Sequence, residues 1–295
     1  MQRHSVRGTK ARLRSLASRV ASRVPFFYPG RNSIGFSGDY PTWAEASREA
    51  DGYDNDGILV RVRDALKRAQ STEGGFERDG VVFSSPQWNH GLLSCLLRVA
   101  ANRRGSLSVL DFGGSLGSTY FQCRDFLGEL EHVRWSIVEQ AHFVECGRAE
   151  FETSELRFFE TIREALDAGP IDVALLSGVL PYLPAPYEVL DELERSPIEW
   201  LLIDRNPFYA GPTDRLVVQN VPAWVYGKQV RYPAWIFAAE SFRARTQQCW
   251  RVLVDSPSID PTMAVDEHCV DFRLLLADRR SRSTPNVEPS TRRGE

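Results

Sequence analysis

The sequence predicts an α/β chain built on a parallel, doubly wound sheet covered by helices on both faces. Three observations predict it. From Leu107 onward, short apolar runs alternate with longer amphipathic ones. A glycine-rich turn, Gly113-Gly114-Ser115-Leu116-Gly117, joins the first apolar run to the first amphipathic one. The chain then closes on two apolar runs with no helical pattern between them, which predicts a final antiparallel strand pair.

Taken in order, strands are expected over 107–112, 133–139, 155–159, 171–177 and 199–204, with helices over 117–130, 141–150, 161–168 and 187–195. A helix over 239–248 follows, then strands over 250–255 and 270–277. Upstream, residues 34–104 read as a helical cap. Thr42 is placed to N-cap one helix, a second covers 58–70, and a third runs over 86–101 with Leu92, Leu93, Leu96, Leu97 and Ala100 on one face. The core is expected over 105–278, with an insert at 206–237 that is rich in proline and aromatic residues. Residues 279–295 are too polar to pack and read as a disordered tail.

Composition narrows the classes of function. At 295 residues, 42% hydrophobic and 25% charged, the chain has enough apolar side chains for a real core. No run approaches the ~20 apolar residues of a membrane span. The five cysteines are scattered without CxxC spacing, so neither a zinc site nor a disulfide framework is predicted, and a cytoplasmic setting is the simplest expectation. The net charge of −3 is uneven: residues 1–24 carry seven Lys or Arg and no acid, and 279–295 carry five Arg against two Glu. The remainder is acidic at −13, which argues against a nucleic-acid partner. Within the basic segment 1–33, Leu13, Leu16, Ala17, Val20 and Val24 fall at helical spacing. Residues 1–24 could therefore lie on an anionic membrane surface, at the inner face of a membrane, or remain a solvated tail.

The chemistry concentrates at the ends of the expected strands. Asp111 precedes the glycine turn, where free N–H groups at a helix start can meet a ligand, although the same glycines would serve a plain tight turn. Ser115 and Ser118 stand where a dinucleotide fingerprint needs glycine, and no Gly-Lys-Ser/Thr ending marks a phosphate loop. An acid before the turn suits instead a ligand with a cationic amino-acid end, such as S-adenosylmethionine. Glu139, at the second strand's tip, can accept from both ribose hydroxyls, or it can be a solvent-facing acid at a helix start. Phe159 and Glu160 end the third strand, beside an adenine ring or as core and helix start. Ser177-Gly178 ends the fourth at the crevice.

In order, Val109 to Gly117, Glu139, and Ser177-Gly178-Val179-Leu180-Pro181-Tyr182-Leu183 resemble the class I S-adenosylmethionine-dependent methyltransferases, as do Glu240-Ser241-Phe242 through Val254. More narrowly, Gly38 to Ala46, Leu110 to Gln122 and Ile203 to Phe208 resemble a bacterial group of methyltransferases linked with surface-polysaccharide biosynthesis. The resemblance implies a Rossmann-like seven-stranded sheet with the last strand antiparallel. It implies S-adenosylmethionine as cofactor, held by Asp111, Gly113, Gly114, Ser115, Gly117, Glu139, Gln140, Glu160, Ser177 and Gly178, with no metal. Ser115 departs from the family's second glycine, and no Asn-Pro-Pro-Tyr-type run follows the fourth strand, which speaks against amino-methylation of adenine or amides.

A small-molecule or carbohydrate acceptor, methylated on oxygen, is the expected substrate. Trp224, Tyr226 and Tyr232 in the insert offer aromatic faces to it, or build the insert's own core. Asp204 is the candidate base and Arg205 the candidate clamp, unless the two simply pair with each other. The competing expectation is a non-catalytic binding or assembly protein that keeps the same fold.

Overall fold

The computed structural model describes residues 34–50, 55–72, 75–223 and 228–279. The basic segment 1–33, the tail beyond residue 279, and Trp224 and Tyr226 lie outside them.

Upstream of the sheet's centre, strand β1 (Gly35–Ser37) leads to helix α1 (Trp43–Glu49), whose N-cap Thr42 accepts from the Glu45 N–H at 3.3 Å. Helix α2 (Asn55–Ser71) follows. The helical cap expected over 34–104 is interrupted at the next step, where β2 (Phe76–Arg78) and β3 (Val81–Phe83) form a hairpin. Its two-residue turn, Asp79-Gly80, has φ of 53° and 75°, the doubly left-handed geometry whose twist matches the flanking strands. Helix α3 (His90–Asn102) begins four residues later than residue 86, because the Asn89 side chain accepts from the Leu92 N–H at 3.0 Å and fixes the start.

The alternating part then builds the sheet: β4 (Ser106–Phe112), α4 (Ser118–Leu127), β5 (His132–Val138), α5 (Ala141–Glu150), β6 (Leu156–Phe159), α6 (Ile162–Asp167), β7 (Val173–Ser177), a 3-10 turn at Leu180–Tyr182, α7 (Pro186–Arg195) and β8 (Trp200–Tyr209). Strands β6, β5, β4, β7 and β8 run parallel in that order. After β9 (Arg215–Val221), β10 (Val230–Ala238) and α8 (Ala239–Thr246) come β11 (Trp250–Pro257), β12 (Met263–Val265) and β13 (His268–Arg279). Strand β13 lies antiparallel between β8 and β11, as the terminal pair predicts.

β8 is longer than expected. Its first half pairs with β7 through Ser177↔Asp204, and its end pairs with β10 at Phe208 and Tyr209. The residue between these halves, Arg205, has φ of 58°. The insert is thus a continuation of the sheet in the order β8, β10, β9, β1. Apolar side chains fill both faces: Leu96, Trp135 and Phe158 on one, Leu190, Leu193, Phe242 and Trp250 on the other. Among the described residues, no helix is long and apolar enough to cross a membrane.

Candidate functional site

The strand order reverses at β4, with β5 and β6 on one side and β7 and β8 on the other. In an open α/β sheet the crevice beyond the carboxyl ends at such a reversal is where ligands bind. The turn leaving β4 occupies this position.

Its backbone is unusual at three points: Gly113, Ser115 and Gly117 have φ of 72°, 55° and 95°. At Gly113 the need for glycine is also steric, because a Cβ there would sit 2.3 Å from Val179 Cγ2. At Gly114 a Cβ would meet the Asp111 carboxylate at 2.6 Å, so the turn lies directly on that acid. Ser115 holds a left-handed conformation without being glycine, a local strain that surrounding structure must impose. Gly117 stands at the N-cap of α4 and provides no side chain to bond the helix's first N–H groups.

Two carboxylates flank this turn. Asp111 is 1% exposed and accepts from Trp135 Nε1 at 2.9 Å. Burial pushes its carboxyl up to about 7, the indole bond pulls the other way, and nearby Glu139 adds to the rise. Glu139, half-buried at the tip of β5, accepts from the Gln140 N–H at 2.7 Å. Burial raises it too, against the Gln140 and Ser115 backbone donors. Neither acid enters an ion pair among the described residues. Several other acids find arginines: Asp172 meets Arg103, Asp278 meets Arg251, and Asp255 meets Arg243 and Arg273.

The other expected cofactor residues fall around the same crevice. Ser177 ends β7 beside Asp204, and Gly178, with φ of 63°, donates its N–H to the Asp204 carbonyl at 2.8 Å. Gln140 is exposed just past Glu139. Glu160 is exposed one strand further out, and its N–H donates to Glu164 at the start of α6.

The chain matches no family model and no curated protein. It is similar to several solved structures, all at low identity. One is the N-terminal domain of EvdMO1, solved in the presence of SAH and D-fucose, at 16% identity over 77% of this chain and 98% of that one, with a TM-score of 0.42. Another is the Burkholderia thailandensis 1,6-didemethyltoxoflavin-N1-methyltransferase, at 13% identity over 86% and 98%, TM-score 0.41. A third is an S-adenosylmethionine-dependent methyltransferase from Clostridium acetobutylicum, at 9% identity over 75% and 97%, TM-score 0.42. Likenesses this distant assign no activity.

The residues expected to act on an acceptor are placed differently from the turn. Asp204 is fully buried, and both its oxygens are taken, Oδ2 by Asn89 Nδ2 and Oδ1 by Ser258 Oγ, each at 2.7 Å. Burial pushes its carboxyl up to about 6. Arg205 does not pair with it. The guanidinium instead grips Asp79 through two bonds, 3.1 and 2.6 Å, and Asp260 through a third at 2.7 Å. These adjacent residues gather the hairpin turn, the start of α3 and the segment after β11 onto β8. Tyr232 is 8% exposed and packs with Val221, Val230 and Val81, its ring edge-on to Tyr182 at 5.2 Å. It contributes to the insert's own core. Tyr182, more exposed, donates its hydroxyl to the buried Gln219 at 2.8 Å.

Sequence reasoning missed Glu77 and Asp79. The dipeptide Asp79-Gly80 between two short apolar runs is a hairpin signal that could have found both.

Proposed function

We propose that the chain binds S-adenosylmethionine and transfers its methyl group to a small-molecule acceptor. The observation that carries this reading is the pair of acids, Asp111 and Glu139, left without cationic partners on either side of a strained glycine turn at the sheet's reversal point. Buried carboxylates without cations are costly unless a ligand supplies positive charge. A phosphate-bearing dinucleotide would add negative charge to the same crevice, whereas a ligand with sulfonium and ammonium groups relieves it.

The residues fit such a ligand. Glu139 would accept from the ribose hydroxyls, Asp111 would face the ammonium end, and the turn's N–H groups would meet the ligand's carboxylate. Ser177 and Gly178 would line the neighbouring wall. When bound, the cofactor supplies a methyl group already activated on sulfur. The protein's share is alignment of acceptor and donor, which can lower a barrier by roughly 7–11 kcal/mol. With Asp204 fully engaged, this chain's residues orient the acceptor rather than offer a free base at that position. A carbohydrate-like acceptor, methylated on oxygen, is the finer proposal. It draws on the resemblance of residues 38–46 and 203–208 and on the aromatic character of the insert.

Calorimetric titration with S-adenosylhomocysteine, with NAD in parallel, tests the reading. Saturable binding of the first and none of the second is expected. No binding at millimolar S-adenosylhomocysteine would overturn it. Binding without methyl transfer to any acceptor would instead favour the non-catalytic alternative.

A further inference from the structure

The β2–β3 hairpin carries a buried acid that the cofactor reading does not use. Glu77 is 3% exposed and joins no ion pair among the described residues. Its Oε1 accepts from the Gly80 N–H at 2.7 Å, its Oε2 from Ser118 Oγ at 2.5 Å, and its backbone carbonyl from Gln122 Nε2 at 2.6 Å. Ser118 is the first residue of α4, directly after Gly117. The helix that emerges from the glycine turn is therefore held from outside by a strand some forty residues upstream. The same hairpin is anchored at Asp79 to Arg205 on β8, and Val81 packs against the cluster of Val221, Val230 and Tyr232 on β9 and β10. One small element thus touches the cofactor turn's helix, the central strand and the insert.

An apolar side chain would anchor a hairpin without the cost of burying a carboxylate. We propose that Glu77 is a positioning residue for the cofactor turn, a role that rests on the methyl-donor reading: through Ser118 and Gln122 it fixes the first turn of α4, and with it the backbone from Gly113 to Gly117.

The chemistry of the two carboxylate contacts makes the role pH-dependent. Ionised, Glu77 accepts from both Gly80 and Ser118. Protonated, it must give up one acceptance, and the bond to Ser118 Oγ reverses direction. Burial raises this switch, the Ser118 and Gly80 bonds hold it down, Asp79 adds to the rise and Arg205 opposes it, leaving it at about 7, with Arg78 on the same strand. From α2, Arg61 lies beside Gly80, and from α4 the facing groups are the uncharged Ser118 and Gln122.

Glu77→Gln holds the protonated pattern at every pH, with its carbonyl accepting from Gly80 and its amide donating to Ser118. The test is calorimetric binding of S-adenosylhomocysteine to the full chain from pH 6 to 8.5, for wild type, Glu77→Gln and Glu77→Ala. Wild type is expected to bind about tenfold more tightly than Glu77→Gln at pH 8, a difference of one lost charge-assisted bond, and the two should converge near pH 6. Asp111 and Glu139 titrate in both proteins, so the difference between the curves isolates Glu77. Glu77→Ala should bind weakly throughout; if it does not fold, Glu77→Gln still decides. Superposable curves for wild type and Glu77→Gln overturn the positioning role and leave the cofactor reading standing. Failure of wild type to bind at any pH overturns the cofactor reading itself.

Discussion

Replacing Asp111 by Asn should make the protein more stable and a worse ligand binder. Unfolded, Asp111 ionises near 3.8; folded, burial moves it to about 7. Between these values the folded form keeps a proton that the unfolded form has lost, so stability falls as pH rises across this window. The full penalty is present above pH 7. At about 1.4 kcal/mol for each pH unit separating the two values, it is of the order of 4 kcal/mol. Asparagine carries no charge to bury, and its carbonyl can still accept from Trp135 Nε1. Urea denaturation should therefore find Asp111→Asn more stable by about 2–4 kcal/mol at pH 8, and by less than about 2 kcal/mol at pH 5. Binding of S-adenosylmethionine at pH 8 should weaken at least about tenfold, since one carboxylate facing its ammonium is gone. A variant less stable than wild type at pH 8, or a stability difference that ignores pH, would show instead that Asp111 already has a compensating partner.

Gly113→Ala combines a left-handed φ with a Cβ 2.3 Å from Val179 Cγ2, and should cost about 2–4 kcal/mol by urea denaturation along with most cofactor affinity. Asp204→Asn can still bond both Asn89 and Ser258, so turnover should stay within about threefold of wild type; a loss of roughly 10²–10⁴-fold would restore Asp204 as a general base. A double-mutant cycle on Asp79→Ala and Arg205→Ala, read by denaturation, should give a coupling of about 1–3 kcal/mol; no coupling would mean that the hairpin is not held through Arg205.

The parallel sheet is legible in the sequence because its strands are buried on both faces and read as unbroken apolar runs, as in Val173–Ser177. The turn residues are legible for a related reason: each follows its strand directly in the chain, so locating the strand locates the crevice. Helix α5, at Ala141–Glu150, matches its expected range because Gln140 ends one pattern as Ala141 begins the next. The hairpin was hidden by its brevity, three residues to a strand, and by the neighbouring Glu73-Gly74-Gly75, which reads as a turn on its own. The far half of β8 was hidden because Arg205-Asn206-Pro207 reads as a break. The strand survives it through the left-handed Arg205 and through pairing on the far side with β13. The partners of Asp204 and Arg205 could not be read at all. Asn89 lies 115 residues from Asp204, and Asp79 lies 126 from Arg205. Spacing carries no information at that range, so the bonds that tie Asp204 and Arg205 to distant segments could not be anticipated.

The most direct test of the cofactor reading is a crystal structure of the chain with S-adenosylhomocysteine bound. The ribose hydroxyls are expected within about 2.6–3.2 Å of the Glu139 carboxylate, with the amino-acid end over the Gly113–Gly117 turn on the Asp111 side. The ligand lying elsewhere, or with Glu139 turned to solvent, would contradict that reading.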